Sequence, residues 1–271
     1  MAHTSKAYVL DHKVANIKSH QWRTARNSAA FVIDSIHPDM YILDVGCGPG
    51  SITVDFAEMV PKGHVTGIEI GADILSQAQS LAHERGLENV TFGEADVNAL
   101  KYPDATFDLV FAHQVLQHLP EPVKALREMR RVAKLGGMVA VREGELGTSF
   151  AYPDLAGIRN TVELYVRVAR NSGSHPDAGR ELLSYALESG FTRSAITASA
   201  SSFCFSSDED RAMWGKTWSD RLQESSFRKR ALDGGFADPT DLESYAKDWR
   251  DWMTRDNAIW AHLNGEILCR K

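Results

Sequence analysis

The sequence predicts an α/β protein, a parallel sheet with helices on both faces. Two observations carry this reading: strand-like apolar runs alternate with helical stretches from Met40 onward, and a glycine-rich turn, "VGCGPG", joins the first run to its helix. Parallel strands need crossover connections, and helices of this length supply them on both faces.

In chain order, the first 37 residues read as helical through "SHQWRTARNSAAFVIDSI". "YILDV" then precedes a helical stretch to Val60, "HVTGIEI" precedes "ADILSQAQSLAHERG", and "NVTFGEA" follows. "FDLVFAH" leads into "EPVKALREMRRVAKLGG", and "MVAVRE" closes the regular series. In the helix before Gly136, Val123, Leu126, Met129 and Val132 recur at three-residue steps and form one apolar stripe, while Gly136 and Gly137 supply a C-terminal stop. After about residue 145 the alternation breaks into a helical insertion, "YPDLAGIRNTVELYVRVARNSG", with Leu155, Ile158, Val162, Tyr165 and Val166 on one side. A helix ending near "ALESGF", a strand "SAITASASSFCF" and two helical stretches rich in tryptophan follow. "NGEILCRK" reads as a short final edge strand. With neither repeat nor linker, one domain is expected over 1–271: an N-terminal helical cap (1–37), a ligand-binding core (38–144), and a substrate-side insertion with the C-terminal strands (145–271).

Composition narrows the function. A net charge of −6 without long blocks of one sign argues against a grip on nucleic acid or an anionic membrane. No apolar run approaches the roughly 18 residues of a membrane span, and "MAHTSKAYVLDHK" lacks the apolar core of a secretory signal. A cytoplasmic location is expected. Cys47, Cys204 and Cys269 are far apart and outside any C-x-x-C spacing, so neither a disulfide framework nor a metal site is expected.

The glycine loop selects among ligands. Gly46, Gly48 and Gly50 stand where the backbone must turn tightly and let a ligand approach. A P-loop would need a Lys after the glycines, and none is there. The dinucleotide fingerprint would need glycine where Ser51 or Thr53 stands. An acid does end the second run: Glu69 is an acceptor-only carboxylate suited to the two hydroxyls of a ribose. A nucleoside without phosphate fits these residues better than a dinucleotide.

Together "LDVGCGPGSIT", Glu69, "GEADVNAL" and "FDLVFAHQVLQHL" resemble the class I S-adenosylmethionine-dependent methyltransferases, in the group related to the ubiquinone and menaquinone biosynthesis methyltransferases, over roughly residues 20–143. The resemblance implies a Rossmann-like sheet of seven mostly parallel strands, the last antiparallel, with N-terminal helices and a helical lid insertion. It implies S-adenosylmethionine as cofactor. Asp44, Gly46, Cys47 and Gly48 would form the first cofactor loop, Glu69 would hold the ribose with Ile70 beside it, and Asp96 would accept from the adenine amino group while Val97 packs the ring. Ala112 and His113 would offer backbone near the methionine moiety. His20, Trp22 and Arg23, in "SHQWRTARNSAAF", would close the site.

Methyl transfer from a sulfonium relies on in-line positioning and desolvation. A base is needed only for a protonated, weakly nucleophilic acceptor. His113 is the candidate base, the alternative being that it lends only its backbone; His118, before "LPEP", reads as structural. Arg142 and Glu143, at the end of the fifth strand, either orient substrate or form a surface ion pair. Asp108 reads as a strand-start residue and Cys47 as a small filler. Trp214 and Trp218 share a helix face, as a lid over an apolar acceptor or as core. The expected reaction is methylation of an oxygen or carbon, before a nitrogen, of a small, fairly apolar metabolite. The rivals are an S-adenosylmethionine-binding protein without methyl transfer and an NAD-dependent oxidoreductase. No nucleic-acid or membrane partner is expected, and the apolar insertion helix offers a homodimer contact.

Overall fold

The computed structural model describes residues 22–271. His20 and the helical reading of the first 21 residues therefore lie outside the described residues. From Trp22 onward the expected helix divides into two short ones, α1 (Ala25–Ser28) and α2 (Ala30–Ile33). Thr24 and Asn27 cap α1 reciprocally, and the Ala25 N–H donates to Asp55 at 2.7 Å, which docks this segment on the core.

The alternating region folds in the expected order: β1 (Tyr41–Val45), α3 (Ser51–Met59), β2 (His64–Glu69), α4 (Ala72–Glu84), β3 (Val90–Glu94), β4 (Phe107–His113), α5 (Pro122–Val132) and β5 (Ala133–Tyr152). Beyond it come α6 (Ala156–Asn171), α7 (Leu182–Glu188), β6 (Ile196–Phe205), α8 (Asp208–Gln223), α9 (Ser226–Asp233), α10 (Pro239–Trp252) and β7 (Ile259–Arg270). The seven strands form one sheet in the order β3-β2-β1-β4-β5-β7-β6. β1 to β5 pair in parallel, and β7 runs antiparallel to both its neighbours.

Three expectations are corrected. α5 ends at Val132, not at Gly136, because Ala133 already pairs with Phe107 of β4; Gly136, at φ +79°, instead donates its N–H to the Lys271 carbonyl. The fifth strand does not stop after "MVAVRE". It passes a bulge between Glu145 and Phe150, where Thr148 accepts the Leu263 N–H at 2.9 Å, and continues to Tyr152. The last strand is not a short edge: β7 has 12 residues and lies between β5 and β6, leaving β6 at the edge with its serines largely exposed. Asp108 does act at a strand start, accepting the Tyr41 N–H and pairing with Lys134.

Apolar clusters cover both faces of the sheet. Val45, Val110 and Val139 pack under α5 and α7 on one side, and Ile42, Leu109 and Phe111 under α1 to α3 on the other. A third cluster joins α6 and α8 to α10 to the far ends of β6 and β7 around Trp218, Trp249, Trp252 and Trp260, all buried. Trp249 donates its indole N–H to Thr161 and Trp252 to the Tyr152 carbonyl, so these rings anchor the insertion to the sheet.

Candidate active site

The site grows from the turn after β1. The N–H groups of Gly46 and Cys47 both donate to the Ile68 carbonyl, at 2.8 and 3.0 Å, and fold the loop back over the end of β2. All three glycines are left-handed, for different reasons. A Cβ on Gly46 would lie 2.4 Å from a Val115 methyl and one on Gly50 2.7 Å from the Ala78 Cβ, whereas one on Gly48 would meet nothing within 4 Å. Of the three, Gly48 is the one whose backbone has open space on the side a Cβ would occupy. Its N–H donates to Glu69 at 3.2 Å, and the N–H of the exposed Ile70 donates to the other carboxylate oxygen at 2.8 Å. Glu69 is pinned beside the loop.

Asp44 is buried and accepts a 2.6 Å hydrogen bond from Thr53, the residue that broke the dinucleotide pattern. Burial pushes its carboxyl up to about 7, the Thr53 hydroxyl opposing and Glu69 adding to the rise. The Cys47 thiol, also buried, is raised strongly by desolvation and inert as a nucleophile. At the end of β3, Asp96 accepts from the Asn98 N–H and side-chain amide on one oxygen, capping a turn that buries Val97. Ala112 and His113, both buried, end β4, and the His113 ring meets Phe203 edge-on at 5.9 Å.

After β4, Gln114 adopts φ +54°, rare for a side chain of its kind, and accepts a hydrogen bond from the Arg23 guanidinium. Trp22 packs on Phe203 and Phe205 of β6 and donates to Asp210 at 2.8 Å. Arg23 and Gln114 also border a narrow cavity of about 60 Å³ beyond the strand ends. Tyr165 of α6 and Trp214 and Trp218 of α8 give it aromatic walls; Arg221, Gln117 and His262 add polar groups. A larger groove of about 410 Å³ lies on the outer face between Pro49 and α4, and holds none of the predicted site residues. Trp218 is buried in the tryptophan cluster, as the core reading expects, and also borders the cavity.

Arg142 and Glu143 are not a surface pair. Because β5 continues past them between β4 and β7, both are fully buried. Glu143 accepts the N–H groups of Val115, Leu116 and Gln117 at 2.9, 2.7 and 3.4 Å, and so shapes the loop after β4. Burial raises its carboxyl to about 7 against those donors. Arg142 donates to Ser201 and Glu266, at 3.0 and 3.2 Å, and lies 4.1 Å over the Phe203 ring; burial lowers it to about 10, with Glu266 opposing. His118 contacts the Gln117 amide, and desolvation with the Arg23 charge lowers it to about 3, in line with a structural role. His262, Tyr165 and Arg221 had no place among the predicted site residues. The signal for His262 was its period of two with Asn264 and Glu266 on β7, a polar row on a strand that is mostly apolar elsewhere. Burial and the Arg142 charge lower it to about 3, and the ring is neutral.

Among the described residues, no group of three or more His, Cys, Asp or Glu is placed to hold a metal ion, and no helix is long and apolar enough to cross a membrane.

A family model described as "Methyltransferase domain" matches residues 36–176. An uncharacterized methyltransferase of Schizosaccharomyces pombe is 33% identical over 260 residues, 94% of this chain and 92% of that one. The ubiquinone/menaquinone biosynthesis C-methyltransferase of Bdellovibrio bacteriovorus is 41% identical over 102 residues, 38% of this chain and 43% of its own length. Among solved structures, the YcgJ protein of Bacillus subtilis superposes with a TM-score of 0.57 at 19% identity, covering 91% of this chain and 99% of that one. The phosphoethanolamine N-methyltransferase 2 of Haemonchus contortus, solved with S-adenosyl-L-methionine, gives 0.54 at 16%, covering 87% and 49%. At these identities the two structures show a shared fold.

Proposed function

The chain belongs to the class I S-adenosylmethionine-dependent methyltransferase family, and from that premise we propose that it methylates an oxygen or carbon, in preference to a nitrogen, of a small, fairly apolar metabolite. S-adenosylmethionine is its cofactor. The observation that carries the site assignment is the open approach at Gly48 beside the Glu69 carboxylate, at the ends of neighbouring strands. A nucleoside fits this cradle: Glu69 takes the ribose hydroxyls beside Ile70, Asp96 the adenine amino group and Val97 the ring face. Asp44, Gly46, Cys47 and Gly48 form the loop behind them. When bound, the cofactor supplies an electrophilic methyl group on a sulfonium.

The chain's own residues then position and dry the acceptor. Ala112 and His113 lend backbone at the end of β4; the buried ring of His113, edge-on to Phe203, favours this over a proton-transfer role. Glu143 sets the course of the next loop through three N–H groups, and Arg23, with Trp22 behind it, closes the entrance through Gln114. Tyr165, Trp214 and Trp218 exclude water from the acceptor side.

The test is calorimetric titration with S-adenosylmethionine, S-adenosylhomocysteine and NAD. The two sulfur nucleosides bind and NAD does not. Replacing Glu69→Ala weakens S-adenosylhomocysteine by about 1.5 to 3 kcal/mol, the loss of a charged hydrogen-bond acceptor. An unchanged dissociation constant removes Glu69 from the ribose site, and binding of NAD alone overturns the cofactor assignment.

A further inference from the structure

On the acceptor side of that reading, and resting on it, we propose that His262 determines acceptor specificity: its imidazole hydrogen-bonds the hydroxyl of an uncharged, flat acceptor, a phenol or an enol. His262 borders the cavity beyond the strand ends and is 4% exposed. Neither ring nitrogen has a hydrogen-bond partner among the described residues. Aromatic rings hold the imidazole instead, Phe203 edge-on at 5.6 Å and Trp260 tilted at 5.0 Å. Asn264, two positions along the same face of β7, favours a proton on the ring, yet neither of its amide atoms completes a hydrogen bond. On the facing strand, Gly144 pairs with Asn264 and brings no side chain onto this wall of the cavity. A buried polar group left unpaired is costly and calls for a cause. For a group on a cavity wall, a ligand is that cause.

Hydrogen-bond capacity selects the ligand. Burial, and then the Arg142 charge, keep the imidazole neutral, so it has one donor and one acceptor nitrogen. Trp214 and Trp218, on the same lining, carry buried indole N–H groups that are also without a partner among the described residues. These atoms together offer three donors and one acceptor. A hydroxyl matches the set, because it gives one proton to the imidazole lone pair and has two lone pairs left for N–H groups. A carbonyl leaves the imidazole lone pair unpaired, an ammonium has no lone pair for the indoles, and a phenolate has already lost the proton that the imidazole would accept. The recognised form is therefore the protonated hydroxyl.

The walls suit a flat frame. Trp214 and Trp218 meet nearly at right angles with centroids 5.9 Å apart, and Tyr165 stands edge-on to Trp218 at 5.7 Å. Offset and edge-to-face contacts of this kind are what an aromatic ring or a conjugated enol accepts. At about 60 Å³ the cavity is tight, well below the roughly 150 Å³ of one that admits benzene. Entry of a ring separates α8 from the strand ends.

The test uses the full chain carrying isotope-labelled histidine and saturated with S-adenosylhomocysteine, followed by nitrogen NMR during titration with phenol, benzaldehyde and toluene. These rings are of similar size; the first donates and accepts, the second only accepts, and the third does neither. Phenol binds about three- to tenfold more tightly than toluene, the range of one hydrogen bond between neutral groups, and more tightly than benzaldehyde. It shifts the ring nitrogens of one neutral histidine, the one whose signals are missing from His262→Phe. In His262→Phe, phenol and toluene bind alike, whereas His262→Gln, which keeps a donor and an acceptor, retains part of the preference. Both variants bind S-adenosylhomocysteine as the parent does, which shows that they are folded. Absence of phenol binding at millimolar concentration overturns the proposal, as does equal binding of benzaldehyde or toluene to the parent. So does phenol binding that leaves the His262 nitrogens unmoved, or a preference that survives His262→Phe. Failure of S-adenosylhomocysteine to bind at all overturns the methyltransferase site itself, a separate outcome.

Discussion

Gly46 and Gly48 have nearly the same left-handed backbone angle, φ +67° and +53°, yet different tasks. Gly46 leaves room for Val115, 69 positions further along the chain; a Cβ at Gly48 would meet nothing within 4 Å, and it is there that the proposed nucleoside approaches. Alanine at either position bears the left-handed cost of about 1 to 2 kcal/mol, and at Gly46 it also overlaps a methyl group at 2.4 Å. Gly46→Ala is therefore expected to lower the thermal midpoint more than Gly48→Ala, while Gly48→Ala loses more S-adenosylhomocysteine affinity per unit of lost stability. Thermal melts and titrations of the two variants check this; equal effects on both quantities would remove the distinction. The residues of the loop were legible because glycine is chemically conspicuous. Which glycine serves packing was not, because Val115 reaches Gly46 only through the tertiary fold. Glu143 read as a substrate-orienting residue or half of a surface ion pair for the same reason: its three backbone donors belong to a loop that the fifth strand meets only in the sheet.

Strands β5 and β7 carry the largest departure from the sequence reading. Gly144, Gly147, Thr148 and Ser149 look like the end of a strand, since glycine and hydroxyl residues favour turns. In the sheet Gly144 pairs with Asn264, Gly147, Thr148 and Ser149 lie in a bulge that the Thr148 hydroxyl satisfies, and both strands run on toward the α6–α10 helices. The added length brings the Arg142–Glu266 pair under cover, joined to Ser199 and Ser201 of β6. A buried pair broken on one side costs about 3 to 5 kcal/mol, because the remaining charge is stranded. Arg142→Met and Glu266→Leu are each expected to destabilise on that scale, and the double variant less than the sum. Urea denaturation of all four proteins measures the coupling, and strict additivity would show that the two groups act independently. The apolar stripe of α5, by contrast, follows from local spacing: Leu126, Met129 and Val132 are buried, and Val123, in the first turn, is half-buried against the same cluster.

For the molecule as a whole, buried titratable groups make stability depend on pH in opposing ways. His262 is held to about 3 and is neutral when folded, so between about pH 3 and 6.5 unfolding takes up a proton and acid lowers stability. Asp44 and Glu143, raised to about 7, bind protons when folded that the unfolded chain releases, so their contribution fades as pH rises toward 7. His262→Asn removes only the first of these. The stability of the parent minus that of the variant is therefore expected to be larger at pH 7 than at pH 4.5, by up to about 1.4 kcal/mol per pH unit across the window. Thermal melts at the two pH values measure it; a constant difference would mean that the ring is not held neutral.

By itself, the sequence determined the alternating architecture, the glycine loop, the acids at the ends of β2 and β3 and the family. These depend on periodicity and on motifs a few residues long, which local chemistry specifies. Only the tertiary structure decided that β7 is interior, that Arg142 and Glu143 are buried, and that Arg23, Tyr165, Trp214, Arg221 and His262 border one cavity. Those residues come from four separate stretches of chain, and what brings them together is burial of the α6–α10 apolar faces against the sheet, an interaction without local signature.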